Sequence, residues 1–158
     1  MGHEWELIGR VALAFALSFV VGFERQIRGG AAGDRTFALV GVAAASVAAI
    51  AVSRNAGNAI AGTITGVGFI GGALLFRGEA GVLRGITSSA AVFITAAIGV
   101  VAGAGYLRLA VAVTVFALLS LELRYLPGVR LLDARRYADR FAHDDDPPRP
   151  ARRPPSGA

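Results

Sequence analysis

The chain alternates between long apolar stretches and short polar segments. Five apolar stretches contain about 15 to 20 residues each, close to the ~20 that an α-helix needs to span a bilayer. They are residues 7–23, 36–52, 59–76, 86–105 and 109–123. The first follows the acids Glu4 and Glu6 and has no basic segment before it, unlike a cleaved signal peptide. The pattern predicts an all-α membrane protein: a compact bundle of five transmembrane helices with Gly/Ala-rich packing.

Composition and charge support this interpretation. Hydrophobic residues make up 54% of the chain and the mean hydropathy is +0.58, which favours a membrane protein over a soluble domain. All 16 basic residues are arginines, and thirteen of them lie in residues 24–35, in residues 77–85 or after residue 123. The positive-inside rule therefore places these segments in the cytoplasm, with the N-terminus outside and the C-terminus cytoplasmic. We expect a multi-pass protein of the bacterial cytoplasmic (inner) membrane, with the lipid bilayer as a partner and no nucleic acid.

The end of the chain differs from the rest. Residues 1–128 are predicted to form the transmembrane domain, and residues 129–158 a cytoplasmic tail. Five of the six prolines lie among the last twelve residues. The tail is expected to begin with a short amphipathic segment, residues 131–141, that lies on anionic lipid. Its Pro/Arg-rich end is expected to be disordered.

The stretch GVGFIGG, residues 66–72, has the G-x-G-x-x-G spacing of a dinucleotide-binding turn. It lies inside the third apolar stretch, where a phosphate would be buried in hydrocarbon, so helix packing is the favoured interpretation. Glycines four residues apart let helix backbones approach closely in lipid. Two such pairs on different faces predict that the third helix is central in the bundle. The glycines expected to pack helices are Gly22, Gly62, Gly66, Gly68, Gly71, Gly72 and Gly99.

Three other apolar stretches carry small residues at helical spacing. The first has Ala14, Ser18 and Gly22; the second Gly41, Ala45 and Ala49; and the fourth Ala91, Thr95, Gly99 and Gly103. These ridges predict close contacts among the corresponding helices. The fifth stretch is bulkier and is expected to face lipid.

Polar residues gather at the cytoplasmic ends of the predicted helices. The candidates for a functional polar site at this mouth are Glu24, Arg25, Arg28, Asp34, Arg35, Thr36, Arg77, Arg84, Thr87 and Ser88. Glu24 is expected to pair with Arg28, four residues on, or with Arg84 across the bundle. In the alternative interpretation, the arginines only anchor the protein at lipid phosphates, and Asp34 and Thr87 only cap helices. Arg10, near the outer face, is expected to extend to the headgroups.

The same residues bear on the class of function. The chain has no cysteine, and its two histidines, His3 and His143, lie in terminal segments far from the polar mouth. No nucleophile–base pair is evident, so an enzyme is not expected and no cofactor is implied. Three acids against five arginines in the two cytoplasmic loops suit an anion or a lipid phosphate better than naked Mg²⁺, which prefers oxygen ligands. The sequence does not assign a metal site.

Two longer motifs resemble the MgtC/SapB family of bacterial membrane proteins, in its short form with the transmembrane domain only. The resemblance covers roughly residues 7–123, through GFERQIRGGAAGDRTFALV and GVGFIGGALLFRGEAGVLRGITSSAAVFITAAIG. Where the family usually has a His and a Trp, this chain has Phe37 and Phe93.

The resemblance implies a virulence-associated membrane protein of magnesium homeostasis and adaptation to low Mg²⁺. It implies regulation of membrane partners. The alternative is a transporter or channel for an ion or small solute, either Mg²⁺ or an anion, through the bundle. The small-residue ridges also lead us to expect a membrane protein partner and a homo-oligomer, with a dimer favoured.

Overall fold

The computed structural model of the protein describes residues 2–77 and 83–123. The chain divides into two units, Met1–Leu121 and Glu122–Ala158, and the described helices lie almost wholly in the first. Its helices are α1 (Gly2–Ile27), α2 (Asp34–Ser53), α3 (Gly57–Ala73), α4 (Ile86–Gly103) and α5 (Leu107–Glu122). The five predicted helices are therefore present, in the predicted order. The predicted tail, residues 129–158, lies outside the described residues.

A short antiparallel hairpin replaces the predicted end of the third helix. Strands β1 (Phe76–Arg77) and β2 (Leu83–Arg84) pair Phe76 with Arg84 and Arg77 with Leu83. The prediction that the third helix runs to Phe76 is wrong, because α3 ends at Ala73 although the chain remains apolar. Gly85 closes this connection with a φ of +86°, and a Cβ there would lie 2.2 Å from the Leu74 carbonyl oxygen. Only glycine fits such a conformation in so little space.

Among the described residues, three helices are long and apolar enough to cross a membrane: α1, α2 and α4, with mean hydropathies of 1.8, 2.1 and 1.9. Helices α3 and α5 have 17 and 16 residues. At 1.5 Å per residue they extend only ~25 Å, slightly less than the hydrocarbon thickness of a typical bilayer.

The centre of the bundle is a close crossing of α1, α2 and α4. A Cβ at Gly99 of α4 would lie 2.4 Å from the Gly41 carbonyl oxygen of α2. On the opposite side of Gly41, a Cβ would lie against the Ser18 hydroxyl of α1, which is buried without a hydrogen-bond partner among the described residues. The helix backbones therefore touch here. All residues of the three small-residue ridges are buried: Ala14, Ser18, Gly22, Gly41, Ala45, Ala49, Ala91, Thr95, Gly99 and Gly103.

Helix α3 is peripheral in the single chain, and the prediction that it is central is wrong. Of its residues only Val67 and Gly71 are buried. A Cβ at Gly71 would lie 2.8 Å from the Ser89 hydroxyl of α4. At the other predicted packing positions of α3 a Cβ would meet open space within the described chain: Gly62, Gly66, Gly68 and Gly72. The spacing of the glycines indicates that another helix can approach the backbone closely. It does not indicate whether that helix belongs to the same chain.

Helix α5 also lies at the edge. Its buried residues are the small ones, Ala110, Thr114 and Ala117, whereas Val115 and Phe116 are exposed. Val113, Leu118 and Leu121 are partly buried against the core, so α5 packs one face on the bundle and its exposed bulky side chains lie on the other face.

Candidate functional site at one end of the bundle

An ion-paired cluster closes the end of α1. Arg25 Nε donates to Glu24 Oε2, and Arg25 Nη2 donates to Glu24 Oε1 at 2.5 Å. Arg28 Nε lies 3.8 Å from the same Oε1. The Glu24 and Arg25 side chains are only 11% and 9% exposed, and Arg28 is 33% exposed. One carboxylate thus serves two guanidinium groups, and the cluster keeps one net positive charge. The expected Glu24–Arg28 pair is present, but Arg25, which the sequence did not suggest, is the closer partner.

The backbone after α1 folds back over this cluster. Gly29 has a φ of +69° and donates its N–H to the Gln26 carbonyl at 3.1 Å, while Gly30 donates to the Arg25 carbonyl at 2.8 Å. This pair of bonds is a Schellman motif, which satisfies the last carbonyl groups of a helix. The consecutive glycines Gly29 and Gly30 therefore end α1 a few residues after the Glu24–Arg25 ion pair.

Ser88 of α4 fastens the loop to the bundle. Its hydroxyl oxygen accepts a hydrogen bond from the Ala31 N–H at 3.2 Å, and the residue is 5% exposed. A Cβ at Gly30 would lie 2.9 Å from the Arg25 carbonyl oxygen and 3.3 Å from Ser88 Oγ. Arg25, Gly30 and Ser88 therefore lie together, although Ser88 is far along the chain. Thr87, by contrast, is exposed and does not cap α4, whose N-cap residue is Gly85.

The start of α2 approaches α1 at a glycine. A Cβ at Gly22 would lie 2.7 Å from both the Asp34 Cα and the Phe37 Cβ. Phe37 is fully buried. Asp34 is the first residue of α2 and not its N-cap, which is Gly33, so the capping role that the alternative interpretation gave it is wrong. Its Oδ1 accepts from the Arg35 N–H at 2.6 Å instead.

Gln26 is a site residue that the sequence interpretation missed. Its Oε1 accepts a hydrogen bond from the Asp34 N–H at 3.2 Å and so supplies the α2 N-terminus with the acceptor that Gly33 lacks. A Cβ at Gly33 would collide with the same amide oxygen. Gly33 at the N-cap position could have indicated this contact, because glycine has no side-chain oxygen and another residue must then accept the hydrogen bonds of the first N–H groups of the helix.

The remaining predicted residues are not joined to the cluster by any described contact. Arg35 and Thr36 are exposed. Arg77 and Arg84 lie in the hairpin before α4, and their side chains are outside the described part of the chain. The Glu24–Arg84 pair therefore stays a prediction. Residues 2–77 and 83–123 contain no group of three or more His, Asp or Glu side chains placed to hold a metal ion.

A second polar contact joins α1 and α4 at the end of the bundle opposite the Glu24 cluster. Arg10 Nη1 donates to the Gly103 carbonyl oxygen at 3.3 Å, and Nη2 lies 2.5 Å from Glu6 Oε1. A cation at the C-terminus of a helix is stabilised by the helix dipole. Arg10 therefore binds protein groups rather than only extending to lipid headgroups, as the sequence suggested.

Comparison with known proteins agrees with the two sequence motifs. The profile of the MgtC family matches residues 11–126. The chain is 36% identical over 141 positions to a protein named "Putative magnesium transporter YhiD" from Escherichia coli K12, covering 81% of this chain and 65% of that protein. It is 35% identical over 127 positions to "Protein MgtC" of Brucella abortus strain 2308, covering 78% of this chain and 52% of that one. "Protein SrpB" of Synechococcus elongatus is 33% identical over 130 positions, with 72% and 71% covered.

The chain thus spans about two thirds of the Escherichia coli protein and half of the Brucella protein. No solved structure matches it. The family profile covers both motifs, the glycine crossings and the Glu24 cluster, which is well over half of the sequence. The chain belongs to the MgtC family.

Proposed function

We propose that this protein is a regulatory membrane protein of magnesium homeostasis, which supports adaptation to low Mg²⁺ and virulence-associated growth by binding another membrane protein. The contrast between a closed bundle centre and an open α3 surface carries this proposal. It is a function of recognition within the bilayer, with no catalytic step.

The closed centre argues against conduction. At the crossing of α1, α2 and α4, backbone packs on backbone at Gly41 and Gly99. The buried polar or charged residues of the described chain are Ser18, Arg25, Ser88, Thr95 and Thr114. Thr95 and Thr114 hydroxyls donate to their own helix carbonyls. A path for Mg²⁺ needs oxygen ligands along its length, and this set offers few.

The open surface of α3 favours a protein partner. Gly62, Gly66, Gly68 and Gly72 have no neighbouring atom within 4 Å of a Cβ position in the described chain. In lipid, small residues at this spacing allow a second helix to approach closely. We propose that α3 takes part in a homodimer or in contact with a membrane protein partner.

The proposed topology has five spans, with the N-terminus outside and the charged Glu24 end in the cytoplasm. The arginine asymmetry of the sequence supports this orientation. Short helices such as α3 and α5 can be accommodated by local thinning of the bilayer or by association. The proposed location is the bacterial inner membrane.

A transporter remains the second candidate, because one relative carries the name "Putative magnesium transporter YhiD". In that case the Glu24–Arg25–Arg28 cluster is the gate at the cytoplasmic mouth. The two candidates predict different outcomes in one pair of assays.

The test combines growth at low Mg²⁺ with flux into proteoliposomes. A regulator gives no Mg²⁺ flux above empty vesicles, and Gly66→Leu in α3 removes growth support while the purified protein stays folded. A transporter gives Mg²⁺ flux that is reduced by Glu24→Gln and unaffected by Gly66→Leu. Mg²⁺ flux that is reduced by Glu24→Gln and unaffected by Gly66→Leu would overturn the regulatory proposal.

A further inference from the structure

One groove of the three-helix centre is left open by the chain itself. Helices α1, α2 and α4 pack against one another in pairs, which leaves three grooves on their outer surface. Helix α3 packs along α2 and α4. Helix α5 lies along α1 and α4, where Ala110 is buried in one cluster with Ala14 and Ala102. The third groove, between α1 and α2, receives no helix of the described chain.

The open groove between α1 and α2 is shaped to receive a helix. It has a volume of about 550 Å³ and is apolar along most of its length. Small side chains, Ala12 and Ala49, line it together with bulky ones. The bulky residues Ile8, Phe15 and Ile50 are each about half exposed. Exposed ridges beside small residues form the surface relief into which a second helix packs.

The outward face of α3 has the complementary shape. Gly62, Gly66 and Phe69 are spaced by four and three residues, so they lie on one face of the helix. A Cβ at either glycine would meet no atom within 4 Å outside its own helix in the described chain, and Phe69 is largely exposed. The glycines leave room for bulky side chains such as Ile8 and Phe15, and Phe69 supplies a ridge of its own.

The position of α2 allows the two surfaces to meet in pairs. Helix α2 packs against both α1 and α3, and its outward residues Leu39, Ala43 and Ile50 are exposed. Two copies with the same orientation in a membrane can be related by a two-fold axis along the membrane normal. If this axis passes beside the exposed face of α2, the order α1–α2–α3 in one copy meets the order α3–α2–α1 in the other. Each α3 then lies on the α1–α2 groove of the other copy.

Charges at the end of the bundle opposite the Glu24 cluster fit the same arrangement. Glu4 lies four residues before Ile8 and so continues the α1 wall of the groove. Arg54 follows Ile50 by four residues and lies between α2 and the start of α3. Glu4 and Arg54 are both exposed, and neither is in an ion pair of the described chain. In the two-fold arrangement, Arg54 and the positive N-terminus of α3 approach the acidic start of α1 of the other copy.

We propose that the α1–α2 groove binds α3 of a second copy of this chain, in a reciprocal contact across α2. This inference rests on the association of α3 proposed above and identifies the surface that receives α3. Shape complementarity fills both grooves at once, and the opposite charges of Glu4 and Arg54 fix the register of the two copies. The contact uses no masked or missing group, because all of its elements lie within residues 2–75.

Cysteine cross-linking in membranes tests the contact in the full chain, which has no cysteine of its own. Two differently tagged copies are co-expressed, one with Ala12→Cys and the other with Gly62→Cys or Gly66→Cys. Oxidation with copper phenanthroline should produce a mixed dimer with at least one of the two glycine positions. Val111→Cys, on the exposed face of α5, replaces Ala12→Cys as the control and should produce none. Ala43→Cys alone should link to itself, because it lies close to the two-fold axis.

A charge exchange tests the register independently. Glu4→Arg and Arg54→Glu should each weaken dimerisation by up to about fivefold, and the two changes together should restore it. Losses that add in the double variant would overturn the inference.

The cross-links also separate this inference from the association on which it rests. If two Gly62→Cys copies link to each other and neither links to Ala12→Cys, α3 associates with α3 and the groove assignment is wrong. If no α3 cysteine links and the unsubstituted protein is a monomer, the homodimer itself is wrong, and the groove assignment with it.

Discussion

Ser88 of α4 accepts a hydrogen bond from the backbone N–H of Ala31, 57 residues earlier in the chain, at 3.2 Å. The contact ties the loop after α1 to the start of α4. It also lies close to Arg25, because Ser88 Oγ and Arg25 Cβ would each lie 3.3 Å from a Cβ placed on Gly30. The polar end of the bundle is therefore one connected structure, and its stability should respond to changes at Ser88.

We expect Ser88→Ala to lower the free energy of unfolding by ~0.5–1.5 kcal/mol, because the partly buried hydrogen bond from the Ala31 N–H is lost. Thermal unfolding in mild detergent measures this. Thr87→Ala is the matched control, since Thr87 is exposed and should change stability by less than ~0.5 kcal/mol. Equal melting temperatures for Ser88→Ala and the unmodified protein would mean that water replaces the contact.

The glycine crossing provides the second prediction. At Gly99 an added Cβ would lie 2.4 Å from a backbone oxygen, whereas at Gly66 it would meet open space. Gly99→Ala should therefore destabilise the bundle by ~1–3 kcal/mol through overpacking. Gly66→Ala should be neutral or stabilise it by up to ~1 kcal/mol, since alanine favours helix over glycine. Unfolding in a denaturant series measures the free energy of unfolding of both variants. Similar losses of stability at both positions would contradict the close helix crossing at Gly99.

Much of this fold follows from the sequence. The five apolar stretches predicted five helices, and the small-residue ridges indicated which faces of α1, α2 and α4 meet. The hairpin was missed because Leu74, Leu75 and Phe76 continue the apolar run, and hydropathy does not distinguish a strand from a helix there. The centrality of α3 was misjudged because its glycines face outward. At the polar end, Gln26 and the Arg25 pairing depend on side-chain positions that spacing alone does not determine.

The outward glycines lead to a prediction about association. If α3 forms the dimer contact, Gly66→Leu should convert a dimer to a monomer that stays folded, since a Cβ at Gly66 would meet no described atom outside its own helix within 4 Å. Light scattering in mild detergent at high protein concentration gives the mass. Phe69→Leu, at an 84% exposed position of the same helix, is the control for a change of side chain alone. If the unsubstituted protein is already a monomer under these conditions, the homodimer proposal is wrong.

Orientation can be measured with single cysteines, because the chain has none of its own. Thr36→Cys at the start of α2 and Asn58→Cys at the start of α3 are both exposed positions near opposite ends of α2. We expect a membrane-impermeant thiol reagent to label Cys at position 58 in intact cells and to label position 36 only after lysis. Labelling of both positions in intact cells would contradict the proposed topology.

The Glu24 cluster yields the sharpest energetic prediction. The Glu24 and Arg25 side chains are nearly buried and bonded through two nitrogens, whereas Arg28 is a third exposed and 3.8 Å away. Removing one partner of a buried pair leaves the other charge uncompensated, so Glu24→Gln should cost ~3–5 kcal/mol of stability, less whatever relaxation lets the guanidinium reach water. The exposed pair with Arg28 should contribute only ~0–1 kcal/mol.

Double-mutant cycles test this ranking directly. The coupling energy between Glu24→Gln and Arg25→Gln should exceed that between Glu24→Gln and Arg28→Gln by at least ~1 kcal/mol. Glu6→Gln with Arg10→Gln provides a comparison at the other end of α1, where the carboxylate is 57% exposed and the coupling should be small. Additive effects of Glu24→Gln and Arg25→Gln would mean that the pair does not hold the end of α1 together. If the coupling is large and growth at low Mg²⁺ also fails in a folded Glu24→Gln protein, the same contact serves both stability and function, and the polar end is the functional site.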